Sequence, residues 1–162
     1  MKYLILTLFL SACSHKSTTS ENEINIFCQN LNILYQRIDV ISSNIANAQT
    51  TRTAAGGPYI RKLAQNCKNG FCDIVEDKDP TFLRYKPKHP DANKNGYVVY
   101  PNINLRKEES DRLFWNRVFE TVYANAPVPS NFFFKDKRAV ACFEKFPALK
   151  SNLDYREYLG HF

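Results

Sequence analysis

The chain reads as an α+β protein: a long N-terminal helix packed against C-terminal helices, with a small antiparallel β region between them. Two observations predict this. Phe27, Leu31, Leu34, Ile38, Ile41, Ile45 and Ala48 recur at alternating spacings of four and three, the heptad pattern of a sustained helical seam. Between residues 59 and 100, short apolar runs are separated by Asn-Gly, Asp-Pro and His-Pro-Asp turns, which is the pattern of short antiparallel strands. The chain has 162 residues, 44% of them hydrophobic and 23% charged, so it can build one globular core.

The first thirteen residues read as an address. Lys2 is followed by an apolar stretch and then by Leu10-Ser11-Ala12-Cys13. The stretch is too short to span a bilayer as a helix and has the shape of an export signal. Its ending resembles a bacterial lipobox, which implies cleavage before Cys13 and acylation of that cysteine. Acyl chains hold a protein on a membrane surface because each buried methylene contributes about 0.8 kcal/mol. Ser14 rather than Asp after the cysteine points, by resemblance to proteobacterial lipoproteins, to the periplasmic face of the outer membrane. Residues 1–12 are thus the expected signal and 13–22 a polar tether. Residues 23–162 are the expected folded domain, divided into a helix over 23–49, a β region over 50–103 and a helical part over 104–162.

Four more cysteines remain, Cys28, Cys67, Cys72 and Cys142. An even number in an exported chain predicts two disulfides. Cys67 and Cys72 flank Lys68-Asn69-Gly70-Phe71, and Asn-Gly is a strong two-residue hairpin turn. With Lys68 opposite Phe71, Cys67 and Cys72 become the next cross-strand pair, close enough to bridge. Cys28 and Cys142 are then left to pair, closing a loop of more than 100 residues. A C-x4-C spacing without a nearby histidine is a poor zinc site.

The seam predicts one helix from about Glu23 to Ala48, roughly 39 Å long at 1.5 Å per residue. Thr50–Gly57 ends it in small residues and Gly-Gly-Pro. Strands are expected at Tyr59–Gln65, Phe71–Glu76, Phe82–Tyr85 and Tyr97–Tyr100. Helix resumes near Leu105, where Glu108, Glu109 and Asp111 suit the positive helix end. Phe114, Trp115, Val118, Phe119, Val122 and Tyr123 form its apolar face. Pro127 and Pro129 break it, and two shorter helices are expected at about Lys135–Phe146 and Ser151–Leu159.

Four runs carry a resemblance. They are Asp39-Val-Ile-Ser-Ser-Asn44-Ile-Ala-Asn47-Ala-Gln-Thr50, Gly56-Gly57-Pro58-Tyr59, His89-Pro90-Asp91-Ala92, and Asn95-Gly96-Tyr97-Val-Val-Tyr-Pro101-Asn102. In this order they resemble the flagellar proximal-rod proteins of the FlgC family. The first run is shared by axial rod and hook proteins generally, and the later ones are more particular to this branch. The resemblance implies paired N- and C-terminal helices, a small β region, and a structural role without cofactor or catalysis. Basal-body or other envelope proteins are the expected partners; nucleic acid is absent from the periplasm that the lipobox implies, and no small-molecule substrate is expected. A lipobox, a disulfide framework and a proline-broken C-terminal region depart from that family. They point to a derived, membrane-anchored accessory component. A binding module of another envelope assembly, or a peptidoglycan-associated protein reusing the rod fold, is the alternative.

Other chemistry is weakly signalled. Asp91-x-Asn93-x-Asn95-Gly96 matches the opening of an EF-hand loop, but the twelfth position is Asn102 instead of glutamate. No nucleophile pattern accompanies His89, and Glu76-Asp77-Lys78-Asp79 reads as a solvated turn. No metal site is expected. The net charge of +6 is spread thinly and suits anionic envelope surfaces.

Overall fold

The computed structural model describes residues 20–127 and 144–146. Helix α1 spans Glu21–Ala46. It starts at a capping box: the Glu23 amide donates to the Ser20 hydroxyl, and the Ser20 amide donates to the Glu23 carboxylate. This reciprocal pair satisfies amide donors that a helix start leaves open. The helix begins two residues before its expected start and ends two residues before Ala48. Asn47 caps its end, donating through Nδ2 to the Ser43 carbonyl at 2.9 Å.

Strands β1 (Lys62–Lys68) and β2 (Phe71–Glu76) form one antiparallel hairpin, and β3 (Thr81–Tyr85) and β4 (Tyr97–Pro101) a second. The β region is therefore two separate two-stranded sheets. The expected start of the first strand at Tyr59 is corrected to Lys62, because Tyr59 belongs to the turn: its amide bonds back to the Thr50 carbonyl at 3.0 Å. The ladder is also less regular than the spacing implies. Gln65 pairs with Asp73 and Lys68 with Phe71, leaving a bulge between them where Asn66 has φ 47°. The Asn69-Gly70 turn has φ 52° and 88°, the left-handed pair that a tight hairpin turn needs.

Helix α2 spans Leu105–Ala124, with Asn104 accepting from the Lys107 amide. It packs along α1. The core joins Ile24, Phe27, Cys28, Leu31 and Leu34 of α1 to Phe119 of α2 and to Phe146. Tyr35, Ile38, Trp115, Val118, Val122 and Tyr123 pack around it. The partner that the heptad seam requires is thus supplied within the chain.

Two expectations need correction. Ile38, Ile41 and Ile45 are only half-buried, while Val40 and Asn44 are buried in that half of the helix. A straight helix repeats every 3.6 residues and drifts off a strict 3.5-residue seam, so the buried face turns toward β1. Phe114, expected on the apolar face of α2, is 59% exposed and meets Trp115 edge-on. The helices expected at Lys135–Phe146 and Ser151–Leu159 lie outside the described residues apart from 144–146, where Glu144 and Lys145 are helical and Phe146 is buried.

Candidate functional site

Among the described residues, a cluster of hydrogen-bonded polar side chains sits where α1, β1 and α2 meet. Asn44 lies on the buried face of α1, 1% exposed. Its Nδ2 donates to the Lys62 carbonyl at 2.9 Å and to Glu108 Oε2 at 3.3 Å. Its Oδ1 accepts from the Lys62 amide at 2.9 Å and from the Tyr59 hydroxyl at 3.1 Å. All of its hydrogen-bonding capacity is used. Toward β1 the amide acts as a neighbouring strand would, meeting both the N–H and the C=O of Lys62.

Glu108, one helical turn into α2, is 1% exposed. Arg61 donates through Nε to Glu108 Oε1 at 2.8 Å and through Nη2 to the same oxygen. Arg61 Nη1 reaches Asp77 Oδ2 at 2.8 Å. Burial of these charges is tolerated because each is paired and hydrogen-bonded. Burial pushes the Tyr59 hydroxyl above its usual range, and the charges of Glu108 and Asp39 add to this. The Arg61 hydrogen bond holds the Asp77 carboxyl below the usual range. Asp77 is therefore an ion-paired residue and not part of a purely solvated turn.

A second polar junction joins the loop after α1 to the β3–β4 loop. Thr51 donates to Asp91 Oδ2 at 2.7 Å, and Arg52 Nη2 lies 2.6 Å from Asp91 Oδ1. The Thr51 hydrogen bond lowers the Asp91 pKa, with the Arg52 charge adding to this. His89 Nδ1 accepts from the Asp91 amide at 3.1 Å, and its ring stands edge-on to Tyr100. The EF-hand-like residues are spent on the turn. Asn93 Oδ1 accepts from the amides of Asn95 and Tyr97, and Asn102 Nδ2 donates to the Asp79 carbonyl. Gly96, at φ 79°, sits under the Tyr85 ring, 2.8 Å from where a Cβ would be. Tyr97 stacks edge-on with Tyr85, and Pro101 closes β4 opposite Thr81. Gly56 and Gly57, at φ 88° and 71°, make the turn that precedes Pro58 and Tyr59.

The cysteines divide as follows. Cys67 and Cys72 form a disulfide with Cα atoms 4.0 Å apart. Cys28 is disulfide-bonded. Cys13 and Cys142 both lie outside the described residues. The hairpin is also held to α1: the Gly70 carbonyl accepts from Asn32 Nδ2 at 2.7 Å and from Gln36 Nε2 at 2.8 Å.

The structure brings Asn44 and Tyr59 of the motif runs together with Arg61, Asp77 and Glu108. It places His89, Pro90, Gly96 and Tyr97 in a separate turn. Sequence reasoning missed the roles of Arg61 and Glu108, which are 47 residues apart. Nothing in the local pattern separates Glu108 from its neighbours Glu109 and Asp111.

Two packed helices with a small β region between them, and the Asp39–Thr50 segment bonded to both the strand and α2, match the fold that the rod-family resemblance implies. The comparisons agree. The family described as "Flagella basal body rod protein" matches residues 31–52. The flagellar basal-body rod protein FlgC of Borreliella burgdorferi is 36% identical over 126 residues, covering 61% of this chain and 83% of the relative. FlgC of Bacillus subtilis is 32% identical over 128 residues, covering 63% and 85%. That of Escherichia coli O157:H7 is 30% identical over 95 residues, covering 52% and 71%. The chain belongs to the FlgC family of flagellar basal-body rod proteins.

Proposed function

We propose that this chain is a non-enzymatic, lipid-anchored structural or accessory component of the flagellar basal body. The carrying observation is the conjunction of a rod-family fold with the lipobox-like Leu10-Ser11-Ala12-Cys13. Acylated Cys13 holds the chain on the periplasmic face of the outer membrane, and residues 14–22 tether the folded domain to it. A Cys28–Cys142 bridge ties the first helix to the C-terminal region.

The polar knot supports a structural role. Asn44, Arg61 and Glu108 spend their hydrogen bonds and charges on one another and on the backbone. The arrangement holds two helices and a strand in register. Catalysis needs groups left available to a substrate.

Intact-mass analysis and membrane fractionation test the anchor. Wild-type protein is expected to lose residues 1–12, gain acyl mass and float with outer membranes. Cys13→Ala is expected to remain unprocessed. A wild-type mass without acyl chains would remove the anchor from the proposal. Imaging of motors in a deletion strain tests the flagellar role. Intact motors with normal swimming, and no flagellar protein co-purifying, would sink it.

A further inference from the structure

A groove of about 250 Å³ lies between α1, β1 and α2, above the knot. Val40, Ile41 and Trp115 supply its apolar walls, and Arg37 and Lys62 bring positive charge. Arg37 stacks over Trp115 with its guanidinium 4.9 Å from the ring centre. Lys62 lies near the Tyr59 ring. Neither forms an ion pair with a carboxylate among the described residues. The acids facing the groove are already committed, Glu108 to Arg61 and Asp111 to Lys107. Two uncompensated cations therefore border the cleft.

The groove also contains an open strand edge. Antiparallel ladders alternate residues that bond to the partner strand with residues that face away. The Asp77 amide bonds to the Arg61 carbonyl, so Lys62 and Ala64 face away from β2. Asn44 covers Lys62. No side chain among the described residues is hydrogen-bonded to the outward N–H and C=O of Ala64. Beyond it the Asn66 bulge, next to the Cys67–Cys72 bridge, ends the edge.

We propose that this groove binds a short, extended, carboxylate-bearing peptide segment of a partner protein by strand addition to the outer edge of β1. Main-chain bonds to Ala64 supply the geometry, and Arg37 and Lys62 select carboxylates. The inference rests on the partner-binding, non-catalytic reading above. Its test is independent of the anchor and of the motor.

Trp115 is the single tryptophan, so its fluorescence reports the groove directly. The full-length chain is titrated with the capped peptide Thr-Glu-Val-Glu-Thr, its lysine counterpart Thr-Lys-Val-Lys-Thr, and an N-methylated version of the acidic peptide. A saturable change is expected with the acidic peptide alone. Lys62→Glu, an exposed substitution, is expected to weaken it about tenfold, and Arg37→Glu serves as a second variant. An equal response to the lysine peptide would overturn the charge selection. An equal response to the N-methylated peptide would overturn strand addition. No response to any peptide would overturn the proposal. So would a Trp115 signal that changes with protein concentration in the absence of peptide, which would give the groove to a second copy.

Discussion

The two halves of α1 are held by different physics. From Ile24 to Leu34 the helix buries a mainly apolar face against Phe119 and Phe146, its one buried amide, Asn32, being spent on the Gly70 carbonyl. From Val40 onward it buries an amide, and the contacts that matter are hydrogen bonds and charge pairs running from Asn44 through Glu108 to Arg61. Apolar packing is tolerant of chemistry and sensitive to volume. A buried charged knot is the reverse: its members cannot be removed singly, because each loss strands a partner. The segment that matches the rod family, residues 31–52, begins at the end of the apolar half and runs through the knot half.

The largest expected effect is in the apolar half. Phe119→Ala should cost about 3–5 kcal/mol in denaturant unfolding. A loss well below this would mean that the half relies on the knot. Glu108→Ala should cost about 1–3 kcal/mol by taking one acceptor from Arg61, which keeps Asp77, and one from Asn44, which keeps the Lys62 carbonyl. The double change Arg61→Met with Glu108→Leu should recover much of that, whereas no apolar replacement elsewhere rescues Phe119→Ala. A double variant as unstable as the single one would remove the distinction between the halves. Replacing Cys67 and Cys72 by serine should cost about 2 kcal/mol by the loop-entropy estimate for so short a ring. The hydrogen bonds from Asn32 and Gln36 should keep the hairpin on α1, as seen in protected amides at the turn.

The smallest effect concerns pH. Asp77 and Asp91 have lowered folded-state pKa values. Each therefore contributes stability that is present above the unfolded carboxylate pKa, about 3.9. That contribution is lost as pH falls through the folded value. Asp77→Asn should flatten part of the acid limb of a stability–pH curve. Tyr59 is raised, so its contribution is present below the unfolded value of about 10 and is lost as pH rises through the folded one. Tyr59→Phe should flatten the alkaline limb, which links the pH response to the knot half of α1.

Much of the fold was legible because it rests on local pattern. The heptad located α1 within two residues at each end, Asn69-Gly70 located the first hairpin, and the turns around Pro80 and Asn95-Gly96 bracketed the second. The buried face of the knot half was not legible. Ile38, Ile41 and Ile45 continue the apolar spacing in the sequence, yet the facing surface there is a strand edge and an acidic residue, so Asn44 goes in their place. The partnership of Arg61 with Glu108 has no local signature. It exists only once α2 has returned alongside α1. The bulge at Asn66 was likewise hidden, because an alternating strand reads the same with or without an extra residue.

The amide of Asn44 gives one backbone position an unusual status. The Lys62 N–H is held by a helix side chain, and that same side chain is held by the other helix. Its exchange with solvent deuterium requires the Asn44 amide to leave the strand, so it reports opening between α1 and β1. A slow proton at Lys62 that speeds up in Glu108→Ala would show that α2 steadies the contact between α1 and β1 through Asn44.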